Sequence, residues 1–222
     1  MEANLNFSAP VFFDLETGGT NHKKHPITSI AMYCPTTKDK LEIKVKFDPD
    51  ECEEEALEVQ GYKKKKWKKA IKKEKAMKKV KKFLNAHKSA TKISKKGKEY
   101  SVAVLAGFNA SSFDKLFLIK LFKDFDEWCP FDYQVFDVYE LAKWMFPGKP
   151  SYSLEGLCNE LCLPERKWHD PMSDVLATID LCCWAASKSN VTKEWIKERI
   201  EEIEEYRAQV IDDDCPWVQE ED

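Results

Sequence analysis

A short apolar run near the start of the chain ends in two acidic residues, and this pattern limits what the chain can fold into. Residues 11–15 read Val-Phe-Phe-Asp-Leu, so that Asp14 and Glu16 interrupt or follow a segment that is otherwise suited to burial. A buried β-strand that carries both acids at its end explains the pattern. Two residues apart in a strand, their side chains project from the same face. Because burying an unpaired carboxylate is costly, the two acids are expected to have a partner.

Two more acids and one histidine occupy comparable positions further along the chain. Asp114 follows the apolar residues 101–108 and falls in the first turn of a predicted helix, where the helix dipole alone would favour an acid. His169 and Asp174 flank another predicted helix start, and each could be an ordinary surface residue. Taken together, the acids indicate a divalent cation site, because Mg²⁺ prefers carboxylate oxygens and keeps positions open for water and phosphate.

The order and spacing of these residues resemble the DEDDh branch of the DnaQ-like 3′→5′ exonucleases, a family of ribonuclease H-like fold. The shared pattern is Asp-x-Glu, then Asn109 with Asp114, then His169 with Asp174. Further stretches are similar to segments of the same family, namely residues 56–62, 136–142, 146–148 and 152–158. The resemblance therefore extends in order over roughly residues 10–187.

This resemblance implies a metal-dependent nuclease that releases nucleoside 5′-monophosphates. It implies that Asp14, Glu16 and Asp174 hold the first of two divalent ions, Mg²⁺ or Mn²⁺, and that Asp14 and Asp114 hold the second, partly through water. His169 would take the proton of the attacking water, since imidazole exchanges protons near neutral pH. The terminal nucleotide would contact Leu15, Thr17, Gly18, Phe108 and Asn109.

Two departures from the family bear on the substrate. Phe108 stands where the family often has histidine, and it could stack on a base or simply pack. Gln60 replaces the histidine of the family's Val-His-Gly stretch. We expect single-stranded or frayed DNA ends as the substrate, in proofreading, repair or turnover of nucleic acid. A 3′→5′ exoribonuclease of the same mechanism and a non-catalytic nucleic-acid-binding module are the alternatives.

Lysine is concentrated in one part of an otherwise acidic chain. The net charge is −3, yet residues 63–98 hold eighteen lysines against the single acid Glu74. The apolar residues over 63–84 are mostly three or four positions apart, which predicts one long cationic helix; they are Trp67, Ile71, Met77, Val80, Phe83 and Leu84. Because like charges repel one another, a polyanion such as a nucleic-acid backbone is the expected partner of this helix. The lysines predicted to contact it are Lys63, Lys64, Lys65, Lys66, Lys68, Lys69, Lys72 and Lys73.

The remaining pattern predicts an α/β fold. Apolar or alternating residues predict strands at 11–15, 27–33 and 41–47, which would form an antiparallel meander, and later strands at 101–108 and 134–138. Helices are expected at 139–146, 154–161 and 172–187, and Ser111 or Ser112 is expected to cap the helix that carries Asp114. Antiparallel strands followed by parallel ones give a mixed sheet flanked by helices, as the resemblance to the ribonuclease H-like fold also implies.

Length and composition fit one elaborated domain in a reducing compartment. With 222 residues, 43% of them hydrophobic, we expect one exonuclease domain over 1–190 with a lysine-rich insertion at about 63–98. Residues 201–222 hold ten acids against one arginine, so 191–222 are expected to form an acidic helix and tail. The apolar runs are too short for a membrane span and the eight cysteines lack zinc spacing, which favours a cytoplasmic protein with free thiols. The expected protein partner is a polymerase or another replication or repair protein.

Overall fold

A six-stranded mixed sheet with helices packed against it forms the centre of the molecule. The computed structural model describes residues 10–94 and 96–188, so the predicted acidic tail lies outside the described residues. The strands are β1 (Val11–Thr17), β2 (Ile27–Cys34), β3 (Asp39–Lys44), β4 (Ala90–Ile93), β5 (Glu99–Gly107) and β6 (Phe131–Asp137). The helices are α1 (Glu54–Val59), α2 (Lys73–Ala86), α3 (Asp114–Lys123), α4 (Val138–Met145), α5 (Leu154–Glu160) and α6 (Pro171–Lys188).

The sheet has the predicted topology, with an antiparallel meander first and parallel strands later. β2 pairs antiparallel with both β1 and β3. β5 runs parallel to β1 on one side and to β6 on the other, while its first residues pair antiparallel with β4. The predicted α/β class, with a mixed sheet flanked by helices, is thereby confirmed. None of the described helices is both long enough and apolar enough to cross a membrane.

Two cores lie on opposite faces of the sheet, as the alternation along β1 requires. Val11, Phe13 and Leu15 point into the larger core, which also contains buried residues of α2 and α3. Phe12 points into the second core, to which α4, α5 and α6 contribute. Asp14 and Glu16 share the side of Phe12, because side chains alternate along a strand. Both acids therefore face the layer that contains α6.

The lysine-rich stretch is not one helix, and that part of the sequence prediction is wrong. A short 3₁₀ helix spans Lys64–Trp67, and α2 begins only at Lys73. Between them Ile71 forms a parallel bridge with Val45. The Ile71 N–H donates to the Lys44 carbonyl at 2.9 Å and the Ile71 carbonyl accepts from Lys46 at 2.8 Å. This pairing holds Ile71 in an extended conformation, which interrupts the helix that the spacing of apolar residues predicts.

Three further details differ from the sequence prediction. Residues 90–93 form β4, which is not among the predicted strands, because pairing with β5 outweighs the polar local composition. β3 ends at Lys44 and not at 47: the Val45 N–H still donates to the Thr28 carbonyl of β2, but Val45 itself forms only an isolated bridge, with Ile71. Neither Ser111 nor Ser112 caps α3: Phe113 occupies the N-cap position without a side-chain hydrogen bond.

Candidate functional site

Strand and helix ends bring four carboxyl groups to one edge of the sheet. β1 carries Asp14 and Glu16 near its carboxyl end. α3 begins with Asp114 shortly after the carboxyl end of β5, the parallel neighbour of β1. α6 packs against β1 and β2 and carries Asp174 in its first turn. Parallel strands end at a common edge, and crevices at such edges are the usual binding sites of α/β proteins.

Three of these acids form a compact group with the donor set of a metal site. Asp14, Glu16 and Asp174 each offer a carboxylate oxygen, and these oxygens all lie within 4.8 Å of one another. Oδ1 of Asp174 is buried and has no hydrogen-bond partner among the described residues. An acceptor left without a partner is costly, and a divalent cation would supply one. The three residues therefore fit the cation that the sequence predicts for them.

Asp114 is attached to the backbone between the two acids of β1. Its side chain is buried, and Oδ1 accepts a hydrogen bond from the Leu15 N–H at 3.0 Å. Because Leu15 lies between Asp14 and Glu16, this bond fixes Asp114 beside both of them. Asp114 is not part of the compact group of three oxygens, which is compatible with the separate, second ion that the resemblance implies for it.

Burial and mutual repulsion make these carboxyl groups hard to ionise. Burial, then the charges of Asp174, Asp114 and Asp170, raise the pKa of Glu16 to about 8. Burial, followed by repulsion from Asp114, Asp174 and Glu16, raises the pKa of Asp14 well above its usual range. Mainly through burial, the pKa values of Asp114 and Asp174 are both raised to about 7. Without a cation, four acids packed this closely destabilise the fold when they are charged.

The stability of the protein is therefore expected to depend jointly on pH and on Mg²⁺. A carboxyl group whose pKa is raised by folding binds more protons in the folded state, so stability in a chelator falls as the pH rises from about 5 to 8. A bound cation favours the ionised carboxylates, and protons compete with it at low pH. Thermal unfolding should show a Mg²⁺-dependent increase in melting temperature that is larger at pH 8 than at pH 6. An equal increase at both pH values would contradict this account.

His169 lies on the loop before α6, next to the compact group but not within it. Its side chain is exposed, and its backbone has a φ of 56°, in the left-handed region that few non-glycine residues adopt. The backbone N–H of His169 donates to the Asp174 carboxylate and lowers the pKa of that group, against the larger effect of burial. The backbone of His169 thus lies against Asp174, while its imidazole is open to solvent.

The backbone after β1 is buried and closely packed. A Cβ atom on Gly18 would lie 2.4 Å from Sγ of Cys52, so only glycine fits there without a shift. The Thr17 hydroxyl donates to the Gly19 carbonyl at 2.8 Å. Gln60 supports this segment from the other side: its Nε2 donates to the Thr17 carbonyl at 2.6 Å and its Oε1 accepts from Thr28 at 2.5 Å. Gln60, which replaces the histidine of the family, thus contacts the segment that the resemblance assigns to the terminal nucleotide.

Asp137 positions the loop between β5 and α3, a role that we did not predict from the sequence. Its carboxylate accepts hydrogen bonds from the backbone N–H groups of Asn109 at 2.8 Å and Ser111 at 2.9 Å, and from the Ser111 hydroxyl. Asn109 has a φ of 56°, and its Oδ1 accepts from Ser112 at 2.9 Å. Both serines are thus engaged within the loop and not at the helix cap. The position of Asp137 between a strand and a helix could have indicated a structural role, because an aspartate there also caps the helix, as Asp137 does for α4.

Phe108 packs at the start of the same loop. Its half-buried ring contacts Tyr139 edge to face, with 5.6 Å between the ring centroids, and rests against the second core. Of the five residues that the resemblance assigns to the terminal nucleotide, Leu15 and Thr17 lie at the end of β1 and Gly18 follows it, whereas Phe108 and Asn109 follow β5. The two segments therefore end at the same edge of the sheet.

The lysines of the 63–98 stretch fall into two groups that differ in their electrostatic surroundings. Lys73 pairs with Asp124, and Lys81 pairs with Glu127, at the carboxyl end of α3. In contrast, no ion pair with any described residue is found for Lys64, Lys65 or Lys68. Part of the positive charge on α2 thus attaches this helix to its neighbour, while the charge before it faces solvent.

The fold and the site together define an α/β protein of the ribonuclease H-like class. Acidic residues with the donor set of a metal site lie at the carboxyl ends of its parallel strands. The chain belongs to the exonuclease family, whose sequence model matches residues 11–182. This membership places it among nucleases and confirms the family resemblance seen in the sequence. A comparison of the sequence with curated proteins finds no match.

Solved structures of exonuclease I share this fold. The zinc ion-bound form of the E. coli ExoI–ssDNA complex matches with a TM-score of 0.66 and 16% identity, over 85% of this chain and 42% of that one. A second structure of exonuclease I gives a TM-score of 0.67 at 16% identity, over 85% and 43% of the two chains. E. coli exonuclease I in complex with a dA16 oligonucleotide gives 0.66 at 16% identity, over 83% and 42%. The chain thus spans less than half the length of these structures.

Proposed function

We propose that this protein is a metal-dependent 3′→5′ exonuclease that removes nucleoside 5′-monophosphates from single-stranded or frayed DNA ends. The observation that carries the proposal is the convergence of carboxylate oxygens of Asp14, Glu16 and Asp174 within 4.8 Å. Membership of the exonuclease family supports phosphodiester hydrolysis at this group. A non-catalytic binding module would have no use for buried, mutually repelling carboxyl groups, which is why we favour an enzyme.

In this proposal the acids hold two divalent ions, Mg²⁺ or Mn²⁺. Asp14, Glu16 and Asp174 would hold one, and Asp14 with Asp114 the other. Two such ions, when bound, stabilise both the attacking and the leaving oxygen of an in-line displacement. The hydrogen bond from Leu15 to Asp114 supports this assignment, because it fixes Asp114 against the strand that supplies Asp14 and Glu16.

The remaining groups bind the strand end and move protons. His169 would accept a proton from water, whose oxygen then bonds to the phosphorus of the last phosphodiester. The bond between phosphorus and the 3′ oxygen of the preceding nucleotide breaks, and that oxygen takes up a proton to become the new 3′ hydroxyl. The released nucleotide keeps its 5′ phosphate. Leu15, Thr17, Gly18, Phe108 and Asn109 would bind the terminal nucleotide, with Thr17 supported by Gln60 and Asn109 by Asp137.

DNA is the proposed substrate because the solved structures of similar fold contain it. Two of them are complexes, one with ssDNA and one with a dA16 oligonucleotide. At 16% identity this likeness supports the substrate class only as a proposal for the present chain. A role in proofreading or repair, in company with a polymerase or another replication protein, follows as a further part of the proposal.

The direction and substrate are tested by a time course on labelled strands. With a 5′ label on single-stranded DNA and Mg²⁺ present, we expect a ladder of progressively shorter labelled products, because a 3′→5′ enzyme leaves the label on the shrinking strand. Duplex DNA with blunt ends should be shortened more slowly, and RNA of the same sequence provides the comparison for sugar preference. Immediate release of a labelled mononucleotide would show the opposite direction and contradict the proposal.

A further inference from the structure

A surface pocket of about 450 Å³ lies next to the carboxylate edge of the sheet, outside the group of acids. We call it the aromatic–lysine pocket. Phe47, Tyr62 and Trp67 form its apolar lining. Four exposed lysines stand around it, and these are Lys46, Lys64, Lys65 and Lys68. A volume of this size is within the usual range for small-molecule sites.

The three aromatic rings are fixed but not fully covered. Their centroids lie 5.2 Å apart for Phe47 and Tyr62, 5.1 Å for Tyr62 and Trp67, and 6.1 Å for Phe47 and Trp67. The Trp67 indole N–H donates to the Thr28 carbonyl at 3.2 Å, which attaches the ring to β2. All three side chains are half-buried, so each keeps part of its surface open to solvent. Fixed aromatic surface of this kind suits stacking with a flat ring.

The pocket also carries positive charge that the described residues do not neutralise. No ion pair with a described residue is found for Lys64, Lys65 or Lys68, in contrast to Lys73 and Lys81 of α2. The combination of aromatic rings with lysines at their rim is how proteins bind single-stranded nucleic acid without reading its sequence. A base in a duplex is already stacked and paired, so the pocket favours an unpaired strand.

Sheet register places the pocket at the same end of the molecule as the acids. Gln60 bonds both to Thr17, at the end of β1, and to Thr28, at the start of β2. Thr28 in turn accepts hydrogen bonds from Trp67 and from the Val45 N–H, just after β3. Two strand spacings, or roughly 10 Å, therefore separate the end of β1 from the β3 side of the pocket. A strand whose 3′ end lies at the acids can reach the pocket with a nucleotide a short way upstream.

We propose that the aromatic–lysine pocket binds a nucleotide of the single strand on the 5′ side of the scissile phosphodiester, with its base on the Tyr62 and Trp67 rings and its phosphate beside the lysines. This inference rests on the proposed exonuclease function, for which it supplies a second contact with the substrate. It also assigns a role to the lysines before α2, which the site itself does not use.

Two pocket variants and one matched control test the proposal. Tyr62→Leu keeps an apolar side chain but removes the ring. Lys64→Gln with Lys65→Gln and Lys68→Gln removes three charges at the pocket. Its control removes three charges from exposed positions of α2, through Lys75→Gln, Lys79→Gln and Lys82→Gln. Because all six lysines are exposed, both triple variants should unfold at the wild-type temperature, which keeps the comparison free of folding effects.

Binding of a fluorescein-labelled single strand is measured by anisotropy in a chelator over a range of salt concentrations. Tyr62→Leu is expected to weaken binding about tenfold through the lost stacking. The pocket triple variant should reduce the slope of log K against log salt by about 2, since each phosphate contact contributes about 0.7. The control variant should change the slope much less. Equal slopes for the two triple variants, together with unchanged binding by Tyr62→Leu, would overturn the proposal.

A short ester separates this inference from the function on which it rests. Thymidine 5′-(p-nitrophenyl phosphate) is small enough to occupy only the acidic site. Absence of Mg²⁺-dependent cleavage of both this ester and single strands by the wild type would contradict the exonuclease itself. If the wild type is active, and the ratio of strand turnover to ester turnover is the same in the wild type and in the pocket variants, only the proposal for the pocket is contradicted. The binding measurement is made with DNA and with RNA strands of equal length. The nucleic acid whose affinity falls more in the pocket variants is the ligand of the pocket.

Discussion

Asp14→Asn is expected to reduce Mg²⁺-dependent shortening of single-stranded DNA by roughly 10³-fold or more, while binding of the strand in a chelator stays near that of the wild type. The large effect follows from the position of Asp14, whose carboxyl group interacts with those of Asp114, Asp174 and Glu16. Metal ions contribute several kcal/mol to the stabilisation of such a transition state, and each 1.4 kcal/mol corresponds to about tenfold in rate. Asparagine keeps the shape of the side chain but not its charge, so the ion would be lost.

The same substitution should stabilise the protein in a chelator at pH 8. Burial and the neighbouring charges raise the pKa of Asp14, so its ionisation costs folding free energy in the absence of a cation. A substitution that removes activity and raises the melting temperature is expected at a site whose charged groups lower the folding stability but are needed for function. Asp126→Asn is the matched control, because Asp126 is exposed and has a φ of 53°, which asparagine tolerates. Wild-type activity in Asp14→Asn would rule out the assigned site.

The acids of the site could be predicted from sequence because each of them follows a local pattern. Asp14 and Glu16 end an apolar run, and Asp114 and Asp174 fall just inside helices that follow apolar or loop segments. Alternation of side chains along a strand then determines which face the first pair occupies. The segments that carry Asp14 and Asp114 come together because β1 pairs in parallel with β5. The family resemblance also indicates this arrangement.

Interactions between distant segments account for what the sequence pattern did not predict. Apolar residues spaced mostly by three or four positions over 63–84 indicated one helix, but Ile71 pairs with Val45, a contact that local spacing does not encode. The hydrogen bonds of Asp137 to the Asn109 loop and of Gln60 to Thr17 likewise join residues 28 and 43 positions apart. The aromatic–lysine pocket has the same origin, since Phe47 meets Tyr62 and Trp67 only after this pairing is made.

Replacement of His169 by asparagine is expected to slow turnover by about 10²- to 10⁴-fold, the usual contribution of a positioned general base. Asparagine is the informative substitution because the backbone at His169 has a φ of 56°, which asparagine adopts more readily than most residues. The backbone N–H that donates to Asp174 is then retained, so the carboxyl group of Asp174 should keep its position. The measurement is the rate of mononucleotide release at saturating Mg²⁺ over a range of pH.

Three readouts distinguish proton transfer by His169 from a structural role. A general base must be deprotonated, so the wild-type rate should fall at acid pH where the base takes up a proton, and His169→Asn should lose that part of the profile. Added imidazole should restore part of the rate in His169→Asn, because the exposed position leaves room for a free base. His169→Ala should be less stable than His169→Asn, because a backbone with positive φ costs more conformational energy for alanine than for asparagine. A His169→Asn protein with the wild-type rate and pH profile would show that another group takes the proton, and would restrict the catalytic set to the four acids.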